Sequence, residues 1–376
     1  GALWVGNIEI HTHSSDWFRH GHHSDKTYDS VILHVVSEAD TEITRSNGEQ
    51  IPQLLLTCPE NVQLHYHELC VADHYPACYS ILASLPKLTI HSWLTALQTE
   101  RLEQKAQLIT QRLKHCNSNW EDAFFITLAR NFGFGLNGDA FETWAGLLPF
   151  RAMDKHRNDL FQIEAFFYGL AGLLKETFLK KEQEDEYSLR LCKEFRYLQR
   201  KFEIGQGMDA TLWRFLRLRP ENFPHIRLAQ LAYLYQKGDK LFSRLLEAET
   251  LADVRTLLDA RTSPYWENHY LFVRLSSQKE KVMGERSKDL IIINTVVPFL
   301  YTYGLHKADE RMCERAGRFL EELKAESNHI IRSWSDAGLP VVSAADSQAL
   351  IQLQKEYCDK RKCLYCRFGY EYLKHT

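Results

Sequence analysis

GNIEIHTHSSDWFRHGHHSDKTYDSVILHVV, residues 6–36, is the stretch whose reading decides the fold. Residues 3–11, LWVGNIEIH, alternate in the manner of a strand. If 7–13 is a strand, its two-residue period puts Glu9, His11 and His13 on one face. Ile8 and Ile10 are then expected to face the core. Ser14 or Ser15 can cap a short helix, with Asp16 in the first turn where a carboxylate is favoured. VILHVV (31–36) reads as a strand buried on both faces.

Outward from this stretch, TEITR (41–45) and IPQLLLT (51–57) flank Asn47-Gly48, so a hairpin is predicted there. After about residue 86 the apolar period changes to 3.6. SWLTALQTERLEQKAQLITQRL (92–113) is a predicted helix, and Ser118 with Glu121 forms a predicted capping box opening the next. Further helices are expected near 139–148, 153–175, 183–203, 225–236, 306–326 and 344–357, the last with a capping box at Ser343 and Asp346. Gly205, Gly207, Pro220 and Pro224 mark 204–224 as a loop. The fold class is therefore α+β: a small mixed α/β module over 1–85, then a large all-helical domain over 86–376.

Charge is divided unevenly. Residues 1–85 hold three Lys+Arg against eleven Asp+Glu, and nine of the 17 histidines. Such a module repels phosphate backbones unless a divalent cation reverses its field locally. No apolar run approaches the roughly 20 residues that span a bilayer. The chain opens directly on a strand pattern, which predicts no signal peptide and no membrane. Nine scattered cysteines predict a reducing, cytoplasmic setting rather than a disulfide framework.

Three constellations could carry chemistry. Glu9, His11 and His13, with Asp16 and His20 nearby, make a candidate divalent-metal site. His22, His23 and Asp25 supply further ligands or orienting groups. Cys358, Cys363 and Cys366 have C-x4-C-x2-C spacing, which suits Zn or an iron–sulfur cluster. Cys313, Cys192 and His375 are the candidate fourth ligands. In WRFLRLRPENFPHIR, Arg214, Arg217, Arg219 and Arg227 lie among aromatics, a candidate nucleic-acid-binding loop. Each has a plainer structural reading: solvated histidines, idle thiols, and arginines paired with carboxylates.

GNIEIH, HSSDWFRHGHHSD, YDSVILHVV, RLRPENFPHIR, INTVVPFLYTYG, ADSQALIQL and YCDKRKCLYCRFG together resemble an uncharacterised bacterial family, domain of unknown function 2851. The resemblance runs almost from end to end and implies no established activity. It does imply a further, Asp-bearing strand before residue 1. The N-terminal part is then similar to a degenerate, incomplete PD-(D/E)XK nuclease core, in which Asp and Glu-x-Lys bind Mg²⁺ and activate water. Glu9 and His11 would occupy the Glu and Lys places, with His in place of Lys.

The leading functional expectation is thus a nuclease-like phosphodiesterase using Mg²⁺ or Mn²⁺. Glu9 would be a metal ligand and His11 would orient or deprotonate water, with His13 and Asp16 in support. The 214–227 loop would hold nucleic acid. Without the upstream Asp, this chain is expected to be inactive. The alternatives are a non-enzymatic helical scaffold that binds a protein partner, and a Zn-dependent hydrolase of another substrate.

Overall fold

The computed structural model describes residues 3–174 and 185–374. It divides the chain into two units, Gly1–Thr89 with Lys355–Thr376, and Ile90–Gln354. The boundary falls near the change of apolar period. The C-terminal segment, read from the sequence as the end of the helical domain, belongs instead with the N-terminal unit.

In the first unit, β1 (Asn7–His13), β2 (Val31–Glu38) and β3 (Gln53–Leu55) form a parallel sheet in the order β1-β2-β3. Parallel neighbours need crossovers, and the β1–β2 crossover carries the helix α1 (Asp16–Arg19) and two 3-10 turns. Trp17, fully buried, packs with Val31, Ile43 and Ile51 beneath that crossover. Its indole donates to the Thr44 carbonyl at 3.0 Å.

The predicted hairpin is present but short: the Arg45 N–H bonds to the Glu49 carbonyl at 2.8 Å and the Ile51 N–H to the Ile43 carbonyl at 3.2 Å. Thr44 and Gln50 form a single antiparallel bridge around Asn47-Gly48. Residues 53–55 then pair parallel to β2, as β3. The turn chemistry was legible, but the chain after it crosses over to extend the sheet instead of returning as a long antiparallel partner.

The expected facing of β1 is also corrected. Ile8 and Ile10 are 55% and 71% exposed, while the Glu9 and His11 side chains are 30% and 8% exposed. Alternation holds, but the covered face is the polar one, because the crossover with Trp17, His22 and Tyr28 packs over it.

The unit continues with α2 (Glu60–Val71) and α3 (Tyr79–Leu82), and takes back the C-terminal helix α4 (Arg367–Lys374), which packs on both. His65 lies edge-on to the Tyr372 ring, and Tyr372 donates to Glu68 at 3.0 Å.

The second unit is helical among its described residues, apart from a two-stranded ribbon of His269–Leu271 and Arg274–Leu275. The long helix Lys87–His115 leads into it. Trp120–Phe132 is capped by Asn119, one residue beyond the predicted Ser118, with the Asn119 side chain accepting from Glu121 and Asp122. The predicted 306–326 helix is Glu310–Glu322, opened by an Asp309 cap; a separate, unpredicted helix Val297–Lys307 ends before it where Ala308 takes a left-handed conformation. The apolar run around Asn294 and Pro298 is helical through a π-turn at Ile292–Val296. The capping box at Ser343 and Asp346 is present. Phe124, Phe132, Trp144, Phe166 and Phe167 lie at the centre, each contributing roughly 2–3 kcal/mol of burial.

Helix Leu160–Leu170 is buried on every side from Ile163 onward, and it carries Glu164 inside with it. Tyr187 donates to this carboxylate. Burial pushes its pKa up to about 7, against the hydrogen bonds that favour the charge. A carboxyl whose folded pKa is raised stabilises the fold fully below its ordinary value near 4.5. That contribution is lost as pH rises through about 7. The Glu164→Gln variant should therefore resist urea better than the wild type at pH 8 and lose this advantage at pH 5. The difference should be on the order of 3 kcal/mol. Parallel unfolding curves at the two pH values check it.

Candidate metal centre

The strand register assembles the site. Glu9 sits opposite His34 and His11 opposite Val36 across the β1–β2 pair. Glu9, His11 and His34 therefore share the face beneath the crossover. Gly21, at φ +77°, turns the chain between α1 and the 3-10 turn that follows. A Cβ there would meet nothing within 4 Å, so the requirement is conformational. This turn presents His20 and His22 to β1 from opposite sides of one bend.

The result is a cluster of four imidazoles. His11 Nε2 lies 3.2 Å from His20 Nδ1, and His11 Nδ1 lies 2.9 Å from His34 Nε2. The His11 and His22 rings stack at 5.4 Å, and His22 stacks on Tyr28 at 3.7 Å. Glu9 Oε1 is 3.7 Å from His11 Nε2 and 3.9 Å from His22 Nε2. His11, His20 and His22 each offer a nitrogen within 4.8 Å of the others, and no other such trio of His, Cys, Asp or Glu occurs among the described residues.

Burial holds His11 below the ordinary imidazole pKa, aided by His20 and His22 and opposed by Glu9. Burial likewise lowers His34, with His11 adding to the effect. Neutral rings are the form that ligates a metal. His34 is fully buried, and its Nδ1 has no hydrogen-bond partner in the structure.

The other sequence-predicted residues lie differently. His13 turns to Glu38, at 3.3 Å, and its side chain is 46% exposed. Asp16 accepts from the His13 backbone N–H and pairs with Arg19 at 2.6 Å, so it organises the crossover. His23 packs against Phe18, and Asp25 caps the turn at Thr27. His34 was missed. Its signal was one polar residue inside an otherwise apolar strand, on the parity that the register gives to Glu9.

Arg214, Arg217 and Arg219 are exposed. Arg227 is not, which corrects its place in a nucleic-acid surface. It is 5% exposed, donates to Gln230 at 2.8 Å and Asn222 at 2.6 Å, and lies over the Phe134 ring. Being in the first turn of the buried helix Pro224–Lys237 draws it inward.

The cysteines Cys358, Cys363 and Cys366 all lie in the first unit. Two of the proposed fourth ligands, Cys192 and Cys313, lie in the second, each donating to a carbonyl of that unit. His375 is outside the described residues.

The family model described as "Protein of unknown function (DUF2851)" matches residues 1–329. The chain belongs to the DUF2851 family. No curated protein and no solved structure matches it. DUF2851 membership carries no activity with it, and nothing in these comparisons supports the nuclease-core resemblance. No helix among the described residues is long and apolar enough to cross a membrane.

Replacing Arg227 with Ala should lower unfolding stability by about 2 kcal/mol, because it leaves the buried Gln230 oxygen and the partly buried Asn222 oxygen without their donor. Arg219→Gln, at an exposed position, should stay within about 0.5 kcal/mol of wild type. Chemical denaturation of the two variants checks the contrast.

Proposed function

We propose that the first unit is a hydrolytic metal centre of the zinc type, in which His11, His20 and His22 hold the ion and Glu9 is the neighbouring proton acceptor. The observation that carries this is the trio of imidazole nitrogens within 4.8 Å, with one carboxylate oxygen beside two of them. Three protein ligands and an open position are the usual arrangement of a catalytic zinc. A metal held there would polarise an ester and lower the pKa of a water. Glu9, on the rim with about a third of its side chain exposed, can take a proton at Oε1. The Nε2 of His34 would orient His11 through the His11 Nδ1, the supporting contact that ligating histidines commonly have.

The choice of metal follows from the donors. Mg²⁺ asks for several oxygen ligands in octahedral geometry. Glu9 is the one carboxylate at the imidazole trio, since Asp16 is committed to Arg19. Imidazoles favour Zn²⁺ and its first-row neighbours instead. The zinc-type reading is therefore better supported than the Mg²⁺ nuclease reading, while a phosphodiester remains the substrate class to try first.

Equilibrium dialysis should find one Zn²⁺ per chain at this site, uncompeted by excess Mg²⁺, and His11→Ala and His22→Ala should each weaken it by at least about tenfold. Glu9→Gln should keep the ion and lose hydrolysis of an activated phosphodiester. Equal Zn²⁺ binding by wild type and a His11, His20, His22 triple alanine variant would remove the centre altogether.

The exposed arginines of the second unit favour a polyanion partner for that unit. Replacing Arg217 and Arg219 with Gln should weaken binding of a single-stranded oligonucleotide and flatten its salt dependence by about two counterions. Fluorescence titration at several salt concentrations reads this. A slope unchanged from wild type would end the nucleic-acid reading.

A further inference from the structure

The three C-terminal cysteines of the C-x4-C-x2-C pattern are gathered by a specific turn. Helix Ala344–Gln352 runs on as a π-turn, Leu353–Cys358, and stops. Arg361, at φ +51°, reverses the chain, and its N–H bonds back to the Cys358 carbonyl at 3.0 Å. Cys363–Tyr365 forms a 3-10 turn, and the Cys366 N–H closes it on the Cys363 carbonyl at 3.2 Å. α4 then folds against this turn so closely that a Cβ at Gly369 would lie 2.2 Å from the Cys363 oxygen. Only glycine permits that approach.

A fourth thiol meets them from a distant part of the sequence. Cys78 immediately precedes α3, on which α4 packs. The preceding loop is tied to the same turn, because Tyr75 donates to Asp359 at 3.1 Å. Cys78 and Cys366 are both nearly buried, at 8% and 7% exposure. Cys358 feels Cys366, Cys78 and Cys363 electrostatically, Cys78 feels Cys366 and Cys363, and Cys363 feels Cys70 of α2. None of the nine cysteines is in a disulfide.

We infer that Cys78, Cys358, Cys363 and Cys366 are the four ligands of an iron–sulfur cluster that pins the C-terminal segment to the N-terminal unit. Spacing separates this from a single zinc. Four thiolates on one Zn²⁺ lie about 3.8 Å apart, given the Zn–S length and tetrahedral angles. No three cysteine sulfurs among the described residues come within 4.8 Å of one another, the closeness a single Zn²⁺ would require, whereas a multi-atom cluster holds its thiolates further apart. Charge agrees. The turn CDKRKCLYCR carries Lys360, Arg361, Lys362 and Arg367 against Asp359; Lys360 pairs with Glu356, and Arg361 acts electrostatically on Cys363. Thiolate-ligated clusters are anionic, and such a turn compensates them.

The full chain should be reconstituted anaerobically with Fe²⁺ and sulfide, then analysed for iron, acid-labile sulfide and visible charge-transfer absorption. Wild type should acquire all three, and Cys78→Ser and Cys366→Ser should lose them. Cys192→Ser, Cys313→Ser and Cys70→Ser should keep them. Because a variant can fail to fold, alkylation mapping on the reconstituted wild type supplies a second reading. Cys358 and Cys363, which are only partly buried, should be labelled before reconstitution and protected after it, with exposed Cys58 labelled in both. A reconstituted chain that retains neither iron nor sulfide, while its His11, His20, His22 triple alanine variant still takes up Zn²⁺ that is lost on Cys366→Ser, overturns the inference. So does a Cys78→Ser chain that holds the cluster as wild type does.

Discussion

The parallel pairing of β1 on β2 is the constraint on which the first unit depends. It sets Glu9 opposite His34 and leaves His11 one step further along the same face. Sliding the register by one residue would exchange this face for Ile8 and Ile10. The parallel sense also forces a crossover, and the crossover is where Trp17, His20 and His22 reside. One pairing thus decides which histidines meet, what covers them, and why a polar face ends up beneath the crossover. Trp17 anchors the lid through its burial and its bond to Thr44. His22 is held flat between the His11 and Tyr28 rings.

Much of this was legible in the sequence, and the failures have physical causes. Alternation correctly grouped Glu9 with His11, because it is a property of the backbone alone. It could not say which face is covered, because that depends on what the crossover places above the strand. Hydrophobicity pointed the wrong way: Ile8, Ile10, Leu54 and Leu55 lie exposed while imidazoles are enclosed. Asn47-Gly48 specified a turn correctly, but a turn fixes only the residues at its ends. Which strand Gln53–Leu55 then joins is a tertiary choice. The helix positions in the second unit were readable from their period. Interruptions such as Ala308 were not, since a left-handed alanine has no signature in composition.

Arg227 and Cys78 show the same limit from two sides. Arg227 looked like its neighbours Arg214, Arg217 and Arg219 because all lie within one short stretch. A helix starting at Pro224 separates it from them, giving it a buried environment with amide partners. Cys78 looked like an isolated thiol because its neighbours in space lie at the other end of the chain. Local pattern groups what is close in sequence, so it joined an arginine to the wrong set and left a cysteine out of the right one.

That discontinuity has a consequence for assembly. The first unit is made of both ends of the chain, with Ile90–Gln354 inserted between them. Bringing the ends together across an unfolded insert of that length costs roughly 5 kcal/mol of loop entropy. The insert is built mostly from helices that pack on sequence neighbours, such as Trp120–Phe132 on Gly138–Gly146 and Val297–Lys307 on Glu310–Glu322. Such local contacts form fast and need no distant partner. Order therefore follows: the helical unit can form first, which shortens the effective loop, and the C-terminal segment then docks on α2 and α3. The parallel sheet can form in the N-terminal segment at any stage, since β1, β2 and β3 are all supplied by residues before 60. The contacts of Gly369 with Cys363 and of Tyr75 with Asp359 belong to this docking of the C-terminal segment. That is a place where a metal-mediated clamp offsets much entropy, because it closes a loop that contains the whole second unit.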